Sequence, residues 1–170
     1  MSLVIRQATL ADSVLLKDLG FHIYPAHFKH LWKSESELDD YLKGEYSLSV
    51  IAQNINDKNI SWYIAEIEQP IGFAKLTWQS TIPNTDIRGV LLDKLYLTPT
   101  KTNQHYGELF FKKVIELARS NGEKFLWLEV LEQNERALKF YKRQGMQSIS
   151  ESVFETKSQQ SIIKLMGMCI

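Results

Sequence analysis

Cysteine is almost absent from this chain: Cys169, near the C-terminus, is the one cysteine among 170 residues. An intrachain disulfide is therefore excluded, as are cysteine-based metal clusters, and both absences are typical of proteins from a reducing compartment. A thiol is reactive only where its surroundings activate it, so we expect Cys169 to be inert. The expected location is the cytoplasm.

The sequence also lacks net charge and long apolar runs. Lysine and arginine together number 20, as do aspartate and glutamate. No general attraction to nucleic acid or to an anionic membrane is therefore expected. No apolar run reaches the roughly 18 residues of a membrane span, and the N-terminus lacks the basic and then apolar layout of a signal peptide. We expect neither a nucleic acid nor a membrane as a partner.

The hydrophobic content predicts one packed domain. Apolar residues make up 44% of the sequence, and no linker or repeat divides it, so residues 1–170 are expected to form a single domain. Runs rich in β-branched and aromatic residues predict strands. The predicted strands are Leu3–Gln7, Ile60–Ile67, Ile71–Trp78, Val90–Leu97, Phe125–Leu131, Gln147–Phe154 and Ser161–Met168.

Helices are predicted between these strands, where apolar residues recur every three or four positions. Pro25 is expected to interrupt the first helix, and Ser34 with Glu37 forms a capping box at the start of the second. The predicted helices run from Val14 to Ile23, from Ser34 to near Gly44, from Ser47 to Ile55, from near Gln104 to Ser120 and from Asn134 to Gly145.

A strand, a helix and a second strand follow one another between Val90 and Leu131. Such a crossover makes its two strands parallel and is almost always right-handed. The outer strands are expected to be antiparallel. The predicted fold class is α/β (α+β): a mixed, mostly antiparallel, twisted sheet of about seven strands with a central parallel pair and helices on both faces.

The polar loop within Leu91–Gly107 joins the central strand to a long helix. The first N–H groups of a helix have no internal partner, and the helix dipole favours negative charge there. This loop is therefore a candidate anion site.

Two motifs resemble the GNAT (GCN5-related) N-acetyltransferase family. The run NERALKFYKRQGM over 134–146 is similar to the family's N-x-x-A-x-x-F-Y-x-x-x-G-F run, with Met146 in the last position. The loop TNQHYG over 102–107 corresponds to the family's Q/R-x-x-G-x-G/A, although Thr102 and His105 depart from it. The resemblance extends over nearly the whole chain and implies the GNAT fold.

Other segments resemble the bacterial spermidine/spermine-type branch of that family. They are GFAKL over 72–76, LDKLYL over 92–97 and WLEV over 127–130. The branch implies a small amine as the acceptor. Polyamines are the first candidate, since Asp93 and Glu129 would attract a ligand with several positive charges, and amino sugars, amino acids and antibiotics remain alternatives.

The family resemblance implies acetyl-CoA as a cosubstrate and no metal. The loop would hold the pyrophosphate, and the strand end would offer main-chain groups to the pantetheine, with the acetyl carbonyl near an N–H of Tyr96 or Leu97. His105 would either crowd the pyrophosphate or donate a ring N–H to it. The implied cofactor-binding residues are Leu95, Tyr96, Leu97, Thr102, Asn103, Gln104, His105, Tyr106, Gly107, Glu108, Asn134 and Tyr141. Asn134 has a second interpretation as a plain helix N-cap.

Catalysis needs a proton donor for the leaving thiolate and a group that handles the amine. Tyr141 matches the family's general acid, and a phenol remains protonated at neutral pH; its alternative is a core aromatic. Asp93 and Glu129 are carboxylates in apolar strands that should be adjacent, and either could bind an ammonium or take its proton. Asp93 is expected to share one face with Leu95 and Leu97. The alternative for both acids is a solvated or ion-paired side chain.

The segment after the first helix is rich in aromatic and histidine residues, and in the family this stretch walls the acceptor site. We expect Tyr24, His27 and Phe28 to line that site, together with Trp78 from a strand end. A metal site built from the nearby histidines is a weaker alternative, because their spacing does not place them on one helical face and no partner carboxylate is evident.

The predicted function is therefore transfer of acetyl from acetyl-CoA to a primary amine of a small molecule, by a monomer or a homodimer. The alternatives are a non-catalytic CoA-binding or regulatory module, an interaction domain that binds no CoA, and an acetyltransferase acting on protein amines.

Overall fold

The computed structural model describes residues 2–170 and contains one mixed sheet with helices on both faces. The strands are β1 (Val4–Gln7), β2 (Ile60–Ile67), β3 (Gln69–Thr81), β4 (Arg88–Leu97), β5 (Phe125–Leu131), β6 (Gln147–Glu155) and β7 (Gln160–Cys169). The α-helices are α1 (Ser13–Phe28), α2 (Glu35–Tyr46), α3 (Leu48–Asn56), α4 (Tyr106–Ser120) and α5 (Glu135–Arg143).

The sheet has seven strands in the order β1-β2-β3-β4-β5-β7-β6. Its β4–β5 pair is parallel, and the other neighbours are antiparallel. The predicted fold class is therefore confirmed, including the parallel pair across the crossover helix α4.

Each face of the sheet carries its own apolar cluster. One face packs against α4 and α5, and its core includes Leu92, Phe110 and Leu128. The other face packs against α1, α2 and α3, and its core includes Tyr46 and Trp62. We call these the α4 face and the α1 face.

Strands β4 and β5 pair at only two positions. Val90 is opposite Leu126 and Leu91 is opposite Trp127, after which the ladder stops although both strands continue. The close approach at this point depends on Gly89, since a Cβ there would lie 2.2 Å from the carbonyl oxygen of Phe125. The two strands thus enclose a V-shaped gap that opens toward their C-terminal ends.

A bulge in β4 changes which side chains share a face. Leu92 pairs with Leu76 and Lys94 with Lys75, so Asp93 is an extra residue between two paired positions. Because Leu76 and its second neighbour Ala74 lie on one face of β3, Leu92 and Leu95 both lie on the α4 face. The prediction that Asp93 shares a face with Leu95 and Leu97 is wrong, because the bulge reverses the alternation.

Two predicted helix boundaries are also wrong. Pro25 lies inside α1, which continues to Phe28, because burial of Tyr24 and Phe28 in the α1-face core compensates for the hydrogen bond that proline removes. Helix α4 begins at Tyr106 rather than near Gln104, since Asn103 and His105 adopt left-handed backbone conformations. No helix within residues 2–170 has the length and apolar content needed to cross a bilayer.

The packing of α1 on α2 supplies a stability prediction. Gly20 faces the buried Tyr46, whose ring atom would lie 2.1 Å from an added Cβ. We expect Gly20→Ala to destabilise the protein by about 1–3 kcal/mol because the ring must shift, as measured by denaturant unfolding. Gly44→Ala is the matched control: it meets nothing within 4 Å and should be neutral or stabilising. Equal stability of the two variants would contradict this description of the interface.

Candidate functional site

The gap between β4 and β5 is lined by main-chain groups of β4. Tyr96 directs its carbonyl toward β3, since a Cβ on Gly72 would lie 2.3 Å from that oxygen, and Thr98 N–H donates to Ile71 across the same side. Main-chain groups of successive strand residues point in opposite directions. The peptide groups of Leu95 and Leu97 therefore face the gap, whereas Tyr96 N–H does not, which removes Tyr96 from the predicted partners of the acetyl carbonyl.

At the open end of the gap, the loop before α4 presents unpaired donors. No main-chain N–H of residues 103–108 donates a hydrogen bond to another residue within 2–170. Asn103 has φ 62° and His105 has φ 64°, a left-handed conformation that favours glycine. Of these two residues, His105 stands at a glycine position of the family motif and adopts a backbone conformation that glycine favours.

The side chain of His105 points away from this loop. It is 88% exposed, and its Nδ1 lies 3.7 Å from Glu108, which also pairs with Lys112 at 3.2 Å. His105 therefore does not fill the space before α4. Gly107 leaves that space open as well, since a Cβ there would be 3.9 Å from Leu97 and Phe140, an ordinary contact distance.

The remaining polar side chains of the loop make local bonds. Thr102 donates to the carbonyl of Pro99 and Gln104 to that of Thr100, while Asn103 accepts a 2.5 Å hydrogen bond from Arg136 on α5. This contact places a guanidinium beside the unpaired N–H groups. Sequence reasoning missed Arg136, because nothing in the spacing indicates that α5 reaches this loop.

Helix α5 begins with Asn134, whose side-chain oxygen accepts from the N–H of Ala137 at 3.2 Å. The N-cap interpretation is thus confirmed, and the side-chain NH₂ makes no hydrogen bond to another residue within 2–170. The predicted contact of that amide with the CoA chain remains a prediction.

Tyr141 on α5 lies between Phe111 and Phe140, with ring centroids at 5.8 Å and 5.2 Å. Burial raises its pKa, so the phenol is protonated at neutral pH. Its hydroxyl makes no hydrogen bond to another residue within 2–170. Tyr141 also lies near Tyr96, whose pKa is raised first by burial, then by Tyr24 and then by Tyr141. An unpartnered, protonated hydroxyl can donate to a ligand.

Asp93 and Glu129 lie on the α1 face, where the gap narrows. The oxygen Oδ2 of Asp93 accepts a 2.5 Å hydrogen bond from Thr77. Glu129 lies on the same face of β5 as Trp127. Leu128, which belongs to the α4-face core, lies on the other face. Burial and, second, the charge of Asp93 raise the pKa of Glu129, which shows that the two carboxylates repel each other. A cation between them would relieve this repulsion.

Beside these acids lies a charged cluster that sequence reasoning missed. Lys94 is 5% exposed, pairs with Glu45 of α2 at 2.8 Å and has its Nζ 5.1 Å from the Tyr46 ring. Burial lowers the pKa of Lys94, and Glu45 partly offsets that effect. For Glu45, burial is the largest influence and acts to raise the pKa, but the charge and hydrogen bond of Lys94 and the charge of Lys75 together lower it. No sequence pattern indicates that a lysine on a central strand is buried.

The predicted acceptor wall from α1 serves mainly to pack the helix. Tyr24 and Phe28 are only 6% and 8% exposed. His27 Nε2 lies 2.7 Å from the carbonyl oxygen of Leu97, so Nε2 donates the hydrogen bond and ties α1 to the end of β4. This hydrogen bond gives His27 a structural role, and its predicted place in the wall of the acceptor site stays a prediction.

Trp78 lies away from Asp93. Its indole donates to Ser61 at 2.9 Å, and its ring packs against the α4-face core beside a cavity lined by Tyr63 and Glu123. A second bulge next to it, marked by Gln79 at φ 51°, sets this orientation. The predicted acceptor role of Trp78 is thus not supported by its position.

Aromatic side chains instead meet above the α1 face at the other side of the cleft. Trp32, Tyr41 and Phe154 have ring centroids 5.3–6.3 Å apart. The side-chain amide of Gln159 stabilises this region, since it accepts from the N–H of Lys33 and donates to the carbonyl oxygen of Leu31. This cluster joins the α1–α2 connection to the β6–β7 turn, a contact that no local pattern predicts. Within residues 2–170, no three histidine, cysteine, aspartate or glutamate side chains are grouped as metal ligands.

Residues 24–146 match the Acetyltransferase (GNAT) family. This chain is a member of the GNAT family. Among curated GNAT relatives, the thialysine N-epsilon-acetyltransferase of Bos taurus is 34% identical over 80 residues, which cover 47% of this chain and 43% of that protein. The Mus musculus protein of the same name is 37% identical over 65 residues, 38% of each chain. The matches thus span less than half of these relatives' length, and none supports the spermidine/spermine branch over others.

Solved GNAT structures share the whole fold. The PaiA N-acetyltransferase of Thermoplasma acidophilum in complex with coenzyme A has a TM-score of 0.73 at 21% identity, covering 96% of this chain and 98% of that one. The ribosomal-protein-S18-alanine N-acetyltransferase of Escherichia coli also has a TM-score of 0.73, at 14% identity, covering 99% and 94%. At these identities, the likeness shows the fold alone.

The left-handed backbone of His105 yields a prediction about the loop. We expect His105→Gly to bind acetyl-CoA as tightly as the wild type, or a few-fold more tightly, because glycine relieves about 1 kcal/mol of backbone cost. Isothermal titration calorimetry measures the dissociation constant, with His105→Ala as the control that keeps the backbone cost. A tenfold weaker affinity in His105→Gly than in His105→Ala would show that the loop needs a side chain there.

Proposed function

We propose that residues 1–170 act as one acetyltransferase domain that moves acetyl from acetyl-CoA to a primary amine of a small molecule. The observation that supports this most is the gap between β4 and β5. Unpaired N–H groups of 103–108 stand at its open end, and two carboxylates stand where it narrows. The first fits a phosphate-bearing ligand and the second a cationic one.

In this proposal the cofactor lies along the gap. Residues 102–108, with Arg136, would hold its phosphates, and the peptide groups of Leu95 would pair with the pantetheine amides. Leu97 N–H would donate to the thioester carbonyl oxygen as negative charge develops on it. The name of the PaiA neighbour, solved in complex with coenzyme A, supports this cosubstrate.

The chemistry then needs two proton transfers. The amine nitrogen attacks the thioester carbonyl carbon, the carbon–sulfur bond breaks, and the thiolate takes a proton from Tyr141. The proton lost by the amine passes to Asp93, directly or through water. Oδ1 of Asp93 has no hydrogen-bond partner within residues 2–170, so it is free for this role.

The acceptor would be a small cationic amine. Asp93 and Glu129 give this part of the cleft two carboxylates without a basic partner among residues 2–170, which favours an ammonium-bearing ligand and includes polyamines among the candidates. The Bos taurus relative is named for an ε-amino group, which suggests an amino acid side chain as another candidate.

Two measurements test the proposed function. A thermal shift assay with acetyl-CoA detects binding, because a ligand held by the folded state raises Tm. Release of free thiol in the presence of amines then detects turnover. We expect both. Binding without thiol release from any amine would favour a regulatory module, and no thermal shift at millimolar acetyl-CoA would favour an interaction domain.

Tyr141 supplies the sharpest kinetic prediction. Tyr141→Phe should lower kcat about 10²-fold, the size expected for loss of a general acid, with the dissociation constant of acetyl-CoA changed less than threefold. Phe140→Leu, which changes the neighbouring ring without removing a hydroxyl, is the control for packing. Unchanged turnover in Tyr141→Phe would remove this tyrosine from the mechanism.

The two carboxylates predict a pH dependence. Asp93→Asn should lower kcat/KM for the amine about 10²-fold while acetyl-CoA still binds. The pKa of Glu129 is raised, so as pH falls its charge is lost earlier than that of an ordinary carboxylate. Glu129→Gln should therefore move the acidic limb of the kcat/KM profile to lower pH. An unshifted limb in Glu129→Gln, or full activity in Asp93→Asn, would contradict these roles.

A further inference from the structure

The bulge in β4 can be built in two ways. The ladder pairs on either side of it join apolar residues, which leaves Asp93 and Lys94 to share the one position opposite Lys75 of β3. In the observed register Lys94 lies opposite Lys75, and Asp93 is the extra residue. Moving the bulge by one residue would place Asp93 opposite Lys75 and leave the flanking pairs unchanged.

Cross-strand charge favours the register that is not observed. Opposite charges in facing positions stabilise a sheet and like charges destabilise it, so Asp93 is a better partner for Lys75 than Lys94 is. The repulsion between the two lysines acts on Lys94: burial is the first cause of its lowered pKa, Glu45 acts to raise that pKa, and the charge of Lys75 lowers it again. Another contact must therefore select the observed register.

Glu45 of α2 supplies that contact. Its Oε1 accepts from the Nζ of Lys94 at 2.8 Å, and the same Nζ lies 5.1 Å from the centre of the buried Tyr46 ring. Lys94 is only 5% exposed, so loss of this partner would leave a buried charge unpaired. In the other register Asp93 would lie beneath α2, where its carboxylate would repel that of Glu45. Glu45 thus favours one register and disfavours the other.

Stability alone does not account for this ion pair. The other buried residues of α2 are Leu38, Leu42 and Tyr46, and an apolar residue in place of Lys94 would suit such surroundings. Replacing a buried ion pair by apolar residues is often neutral or stabilising, and the best-attested use of such a pair is to fix one register among several. The bulge offers two registers between which the pair can discriminate.

We propose that Glu45 is a positioning residue for the reaction. By pairing with Lys94, Glu45 selects the register in which Asp93 is the extra residue of the bulge and accepts from Thr77. This inference rests on the proposed function, because the register matters to catalysis only when Asp93 handles the amine. Glu45 acts through Asp93 and needs no contact of its own with the acceptor.

A charge swap tests this role in kinetics, with spermidine or L-lysine as the amine, whichever the wild type acetylates faster. Glu45→Lys should lower kcat/KM for the amine about tenfold or more, with less than about a threefold change in the dissociation constant of acetyl-CoA. Adding Lys94→Glu should restore kcat/KM, because the reversed pair remains and residue 94 then carries the charge opposite to that of Lys75. Asp40→Lys makes the same charge change on the exposed side of α2 and is the control that should alter neither value.

The Asp93→Asn background separates positioning from a purely structural role. Glu45→Gln is a milder change that also serves if Glu45→Lys does not fold. It should lower kcat/KM about fivefold or more in the wild type and less than about twofold in Asp93→Asn, because two residues that act through one group are not additive. Equal losses in the two backgrounds would overturn the inference, since Glu45 would then act on the amine directly or on stability.

Crystal structures of the variants give a readout that needs no turnover. Glu45→Lys, or Glu45→Gln in its place, should have Asp93 opposite Lys75, and the charge swap should have residue 94 there. An unmoved bulge in the folded single variant would overturn the inference and leave the proposed function standing. No thiol release from spermidine, L-lysine or any other amine would overturn the proposed function, and the position of the bulge would still decide whether Glu45 selects the register.

Discussion

The site depends on a sheet in which two central strands stop pairing after two residues. Buried main-chain donors and acceptors need partners, and the separation of β4 from β5 leaves the peptide groups of Leu95 and the N–H of Leu97 facing a gap rather than a neighbouring strand. Gly89 permits the close contact at the vertex, where no side chain would fit against Phe125. The same divergence brings the N-termini of α4 and α5 to the open end, so one constraint shapes both the cofactor cleft and its phosphate end.

The bulge at Asp93 connects this backbone feature to the charges of the cleft. An extra residue in β4 turns Asp93 toward Thr77 and places Lys94 beneath α2. Acidic and basic side chains are therefore held next to each other on the α1 face, where Lys94 pairs with Glu45 and Asp93 accepts from Thr77. Buried charges require such partners, since desolvation alone would be costly.

Much of the fold follows from local pattern. Strands β2 and β5 match the predicted ranges, the Ser34 cap forms with the N–H of Glu37, and the parallel pair follows from the crossover. Tyr141 and Asn134 were identifiable because a long contiguous run carries them.

The features that were missed depend on tertiary contacts. The bulge at Asp93 could not be recognised in the sequence, because Asp93 and Lys94 form one short polar stretch within an apolar strand. The helix through Pro25 depends on burial of rings around it, and the contact of Arg136 with Asn103 joins segments 33 residues apart. The sequence shows that His105 replaces a glycine of the family motif. It does not show that the His105 side chain turns outward and leaves the loop open.

Hydrogen–deuterium exchange with and without acetyl-CoA tests the central claim most directly, because that claim assigns the cofactor to particular main-chain groups. The account predicts that acetyl-CoA slows exchange in peptides covering residues 95–98 and 103–108, with little change in β1 or β6. Unchanged exchange in both of these segments at saturating acetyl-CoA, or protection confined to other parts of the sheet, would contradict it.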